Sequence, residues 1–272
     1  MPKATTAYTT WHNLAVTMKR FLSWVNNTLY RSARFGMLTM ARWAHSHELA
    51  ERYARLSSDL STPMLRRNAI LNAEFAVASD PDWAPGYKAL GIAYMRAWRW
   101  QDAKEAFLTS RGLGLLDADL LAQLGDAAFH LGEWQEALDH TWEALQLNPL
   151  DLASRARRAV VLSYLDQSDE AKAEIETALL IESNHAPTLA ALGYLLTRQG
   201  KFSEARAVLE QAISDGAADG TTYLYLANVL LTVGELRGAL QAAHYAQQLY
   251  PPWDEALDLV ATIEERLDSR YS

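Results

Sequence analysis

Two histidine-bearing stretches, His45-Ser46-His47 and Glu182-Ser183-Asn184-His185, hold the side chains best suited to a metal ion. Neither brings a second ligand cluster with it, so both read as surface or structural groups. The chain has no cysteine, which removes thiol nucleophiles, thiolate metal sites and disulfides together. Gly112-Leu113-Gly114 lacks the third glycine and the preceding strand of a dinucleotide loop. No phosphate loop ending in Gly-Lys-Ser or Gly-Lys-Thr occurs, and no serine, histidine and aspartate stand together as a triad. This inventory predicts no catalytic residue, no cofactor and no metal, so the chain reads as a non-enzyme.

Charge is the next chemical signal. Residues 1–47 carry Lys3, Lys19, Arg20, Arg31, Arg34 and Arg42 with no acidic residue, a charge of +6. The remainder stands at −14, so two regions with different electrostatic partners are expected. Nucleic acid is not an expected partner, because an acidic surface cannot neutralise phosphates. Arg155, Arg157 and Arg158 form a local exception. They either snorkel and pair with nearby carboxylates or make a basic spot for an acidic partner segment. No run of about 18 apolar residues suggests a spanning helix. The start of the chain lacks a secretory pattern. With the missing cysteines, these features predict a cytoplasmic protein, with contact at a membrane periphery left open.

The elements that would position any site follow from a period of 34 residues. Gly91, Gly125, Ala159, Gly193 and Ala227 are all small. Twelve residues after each stands Ala103, Ala137, Ala171, Ala205 and Ala239, and one step earlier the same phase meets Ala69. Leu90, Leu124, Leu192 and Leu226 precede the small column, and Trp100, Trp134, Phe202 and Leu236 follow it by nine. Gly132, Gly200 and Gly234 mark a turn, while Pro81, Pro149 and Pro251 close units because proline cannot continue a helix.

This pattern resembles the tetratricopeptide repeat, a helix-turn-helix unit of about 34 residues with W-x2-L-G-x2-Y, A-x3-F and P columns. The resemblance implies an all-α right-handed superhelix, because one unit cannot bury its apolar face alone. Five units are expected at 84–117, 118–151, 152–185, 186–219 and 220–253, preceded by a degenerate unit at 50–83. Ser61-Thr62-Pro63 there suits a cap followed by proline in the first helical turn. Residues 254–272 read as a capping helix with Leu257, Val260 and Leu267 inward. The unit at 152–185 departs from the pattern through its arginines and through Asp166 where glycine is expected.

The family binds peptides on its concave face, chiefly through the first helix of each unit. Carried over by column, the groove would be lined by Lys88, Ile92, Met95, Ala122, Asp126, Phe129, Ala156 and Val160. Ser163, Ala190, Tyr194, Thr197, Leu224, Asn228 and Leu231 complete it. The alanines leave the floor low, giving a mostly apolar trough suited to an amphipathic helix or an extended segment. A subset of the family grips chaperone tails with a Lys, Asn and Arg clamp. Lys88 and Arg157 fall in matching columns, but Ile92 stands where asparagine should, so that role is not expected.

Residues 1–49 form a basic N-terminal segment. Within it, residues 11–30 read as an amphipathic helix, with Trp11, Leu14, Met18, Phe21 and Val25 on one arc, Lys19 and Arg20 outside it, and Trp24 off the arc. Three readings stay open: a cap on the first repeat, a membrane-surface helix, and a docking helix within residues 11–45. Together these features predict a protein-interaction adaptor or assembly factor. A soluble chaperone for an apolar client segment is the alternative.

Overall fold

The computed structural model describes residues 47–58, 63–250 and 253–271, together with the helical positions Arg34 and Leu38. The proposed membrane or docking helix at residues 11–30, and with it Trp11 to Val25, lies outside the described residues. Among the described residues there are thirteen α-helices and no strand. None is long and apolar enough to cross a membrane. The chain divides into two compact units, Met1–Ala93 and Tyr94–Ser272.

In the first unit, α1 (His47–Ser58) and α2 (Pro63–Ser79) pack as a pair. Proline opens α2, where its missing N–H costs nothing, and Pro81 follows its end. Ala69, Ala73 and Ala76 are fully buried. Tyr53 and Phe75 meet ring to ring at 5.1 Å. His47 bonds Asp80 at 2.7 Å and stands edge-on to Trp83, so it has a structural partner. The helix α3 (Ala84–Arg96) begins in this unit and ends in the second.

The second unit continues with α4 (Trp100–Gly112), α5 (Ala118–His130), α6 (Trp134–Leu147), α7 (Leu152–Tyr164) and α8 (Ser168–Ile181). It ends with α9 (Ala186–Arg198), α10 (Phe202–Ser214), α11 (Gly220–Thr232), α12 (Leu236–Leu249) and α13 (Asp254–Tyr271). From α5 onward the helices pack as antiparallel pairs, and each pair packs on the next. The twelve-after alanines, Ala103 to Ala239, are all fully buried. The small column is needed for the same reason. A Cβ added to Gly125 would come 2.7 Å from Thr141 Cγ2, and one on Gly193 would meet Leu209 Cγ at 2.5 Å.

One turn geometry recurs at every step. Trp98, Gly132, Asp166, Gly200 and Gly234 occupy one column, and all have positive φ. The next residue's N–H reaches back five positions, as Arg99 to Tyr94, Glu133 to Ala128 and Gln167 to Leu162, at 2.9–3.0 Å. That is the bond that closes a helix through a left-handed residue. The first helices are started by a second column. Asp117, Asp151 and Asp219 accept from backbone N–H groups of the first helical turn.

Of the three residues of the last helix expected inward, Val260 is buried and Leu267 packs against the core, and only Leu257 departs. Ala256, Leu259, Val260 and Ile263 are buried against the last pair, whereas Leu257 is 40% exposed. The 3.6-residue period carries the apolar stripe through 256, 259, 260 and 263, which puts 257 on its edge.

Candidate concave binding site

The first helices α5, α7, α9 and α11 face a common cavity of about 680 Å³. Ala122, Gln123 and Asp126 come from α5; Ala153, Ala156, Arg157 and Val160 from α7; Ala190 and Ala191 from α9; and Thr221, Thr222 and Tyr225 from α11. Of the residues expected in the groove, Ala122, Asp126, Ala156, Val160 and Ala190 line it. Ala156 and Ala190 are packed to 4% and 7% exposure, so only Ala122 offers room for a larger side chain without repacking.

The other expected residues have different places. Phe129, Ser163, Tyr194 and Leu224 are buried, and none of them lines the cavity. Phe129 meets Trp134 and Tyr164 edge-on, and Ser163 returns its hydroxyl to Ala159 O. Tyr194 joins a ladder of rings, Trp134 to Tyr164 to Tyr194 to Tyr225, with centroids 4.4–4.9 Å apart. Asn228 bonds Leu224 O, and Thr197 bonds Gly193 O. Met95 and Leu231 are half-buried and do not line the cavity. Lys88 and Ile92 belong to the first compact unit. The cavity is lined by no residue of the column four after the small one. The columns two and six before it reach the cavity instead, as Gln123, Arg157, Ala191 and Tyr225, then Ala153, Pro187 and Thr221.

Aromatic side chains absent from the expected list close the cavity. Trp98, Trp100, Tyr250 and Trp253 all line it. Trp100 Nε1 donates to Tyr250 Oη at 2.6 Å, joining positions 150 residues apart. Trp98 and Trp253 lie 5.2 Å from the Tyr250 ring. Trp98 was legible: it stands in the turn column where glycine is the rule. The meeting with Tyr250 was not, because it depends on how far four helix pairs curve.

The arginines divide between two roles. Arg155 and Arg158 share Glu174 at 2.8 and 3.0 Å, and Arg158 also donates to Leu138 O, so these two pair within the fold. Arg157 turns to the cavity, bonds Asp126 at 2.6 Å and lies over the Phe129 ring at 4.2 Å. Burial alone would lower its pKa, but the facing Asp126 reverses that and holds it above its usual value. His130 stacks on Trp100 at 4.1 Å. Burial, with help from Arg157, lowers its pKa to about 4, so it is neutral near pH 7. The buried Tyr225 hydroxyl makes no hydrogen bond of normal geometry.

At the second histidine stretch, His185 bonds Thr188 at 2.8 Å at the start of α9. Among the described residues, no three histidine or acidic side chains are grouped as metal ligands would be.

Residues 187–215 match the tetratricopeptide repeat family by sequence. No curated protein matches the chain. Solved structures do. PilW, a type IV pilus biogenesis factor, is 16% identical over 79% of this chain and 100% of its own, with a TM-score of 0.58. A tetratricopeptide repeat protein of Thermus thermophilus is 20% identical over 68% of this chain and 98% of its own, at 0.56. PilF of Pseudomonas aeruginosa is 18% identical over 79% and 98%, at 0.53. At these identities the likeness is one of fold. With the 34-residue columns and the recurring turn, it gives the chain the fold of tetratricopeptide repeat proteins, and the unit at 187–215 matches that family by sequence.

Proposed function

We propose that the chain is a non-catalytic adaptor that holds a partner polypeptide segment in the concave cavity of its array. The observation that carries this reading is the cavity itself. Four successive first helices present small side chains to it, and its volume is that of a site for a short peptide stretch. Its walls combine apolar surface with a few hydrogen-bonding groups, which suits recognition of backbone plus one or two side chains. The lining hydroxyls of Ser154 and Thr222 donate to Asp151 and Asp219, the carboxylates that cap α7 and α11, so these pairs have a structural use.

Site-specific photocrosslinking tests this. A benzophenone side chain at position 122 or 153 would face the cavity, and one at Lys172 on the outer helix α8 serves as control. Exposed Ala153 and half-buried Ala122 accept the change better than the packed Ala156 and Ala190. Adaptor function in the groove requires a polypeptide captured from 122 or 153 and not from 172. The same products from all three positions, or none from the cavity, sink it.

A further inference from the structure

Resting on the groove reading, we propose that the cavity selects a cationic side chain, arginine or lysine, carried on an apolar stretch of the partner.

Charge argues for this first. Asp126, Asp151 and Asp219 line the cavity against one lining guanidinium, Arg157. Asp126 already engages that guanidinium at 2.6 Å, so little of its charge is left to attract an anion. His130 supplies no positive charge near pH 7. An incoming carboxylate would face net repulsion, and an incoming cation net attraction.

The walls argue for it independently. Trp98, Trp100, Tyr250 and Trp253 line the cavity as one cluster of rings in mutual contact. Indole and phenol faces attract a guanidinium or ammonium through the ring quadrupole, most strongly where water is excluded. An aliphatic side-chain stem also packs well on them.

Trp98 supplies the third observation. Its φ of 58° lies in the left-handed region, where a bulky residue is out of place. Glycine fills the same position in three of the five turns. A tryptophan kept there at a backbone cost, lining the cavity, fits a part in recognition better than one in folding.

The test uses the full chain and three blocked nonapeptides of alanine and leucine that differ only at the centre, with arginine, leucine or glutamate. Binding is read by calorimetry. The arginine peptide should bind about tenfold tighter than the leucine peptide, and the glutamate peptide weakest. The double variant Asp151→Asn with Asp219→Asn keeps both helix caps, since asparagine caps as well as aspartate. It should lower the arginine preference, read as the ratio of arginine-peptide to leucine-peptide affinity. Trp98→Gly should weaken arginine-peptide binding about tenfold while the thermal midpoint holds or rises. Equal binding of arginine and leucine peptides overturns the cation proposal and leaves the groove reading standing. Preference for glutamate overturns it in favour of Arg157 as the recognition group. If no peptide binds, the cation proposal fails, and the crosslinks from 122 and 153 decide whether the groove reading fails with it.

Discussion

His130 shows how one buried side chain ties stability to pH. The unfolded chain protonates it below about 6.5, but the folded chain refuses the proton until about pH 4. The unfolded state therefore gains protons first as pH falls, and stability drains away between those values. The loss from this group should reach about 3 kcal/mol at the acid end. Chemical denaturation at pH 7 and pH 4 measures it, and His130→Gln should flatten that part of the profile. An unchanged slope in the variant would mean that other groups control acid sensitivity. Asp166 makes the opposite case, a residue whose conformation costs stability. It holds φ 60° in the glycine column and is 82% exposed, and its ion pair to Arg198 is of the solvent-exposed kind. Asp166→Gly should raise stability by about 0.5–1 kcal/mol by relieving the left-handed backbone. A lower thermal midpoint would show that the Arg198 pair outweighs the strain.

At the scale of the helix pair, α7 and α8 hold two guanidiniums on one carboxylate. Removing Glu174 leaves Arg155 and Arg158 largely desolvated with no counter-charge, so Glu174→Ala should cost about 3 kcal/mol. Replacing all three with leucine should restore most of it, because the neighbouring pairs fill the equivalent space with apolar side chains. Urea titrations of the two variants decide the matter. If the triple leucine variant is as weak as Glu174→Ala, the pair is held by these charges and not merely tolerant of them. The same pair explains why a repeat can lose its turn glycine. Asp166 adopts the left-handed conformation that the turn needs, and the closing bond from Gln167 to Leu162 is kept.

For the whole second unit, stability should follow the logic of stacked units, in which each pair depends on its neighbours. The helix α13 covers Ala242, Ala243 and Ala246 of the last pair with Ala256, Leu259, Val260 and Ile263. Ending the chain at Leu249 should cost at least about 2 kcal/mol from lost apolar burial. Hydrogen exchange should show α11 and α12 losing protection before α5 to α8. A uniform loss along the array would mean instead that the unit unfolds as a single block. The truncation also removes Tyr250 and Trp253, so it should abolish any arginine preference of the cavity.

How much of this was legible in the sequence depended on the range of the contact involved. The period was readable because helix geometry is local. A small residue is needed where the two helices of a pair touch closely, and glycine is favoured where the chain turns left-handed, so Gly125, Gly193 and Gly132 recur at fixed spacing. Trp98 stands in the same column as those turn glycines, a signal that the period contains but that the columns of small residues do not single out. Which face of each first helix meets the cavity was not local. It is set by how successive pairs rotate on one another, and that rotation packs Tyr194 into the ring ladder, sets Phe129 edge-on against it and turns Arg157 into the cavity. The meeting of Trp100 with Tyr250 sums such rotations over 150 residues. The sequence by itself determined an all-α array of paired helices, since each columnar residue answers to a neighbour within its own repeat. Only the tertiary structure decided where the aromatic and acidic side chains converge, because small rotations per repeat accumulate along the array.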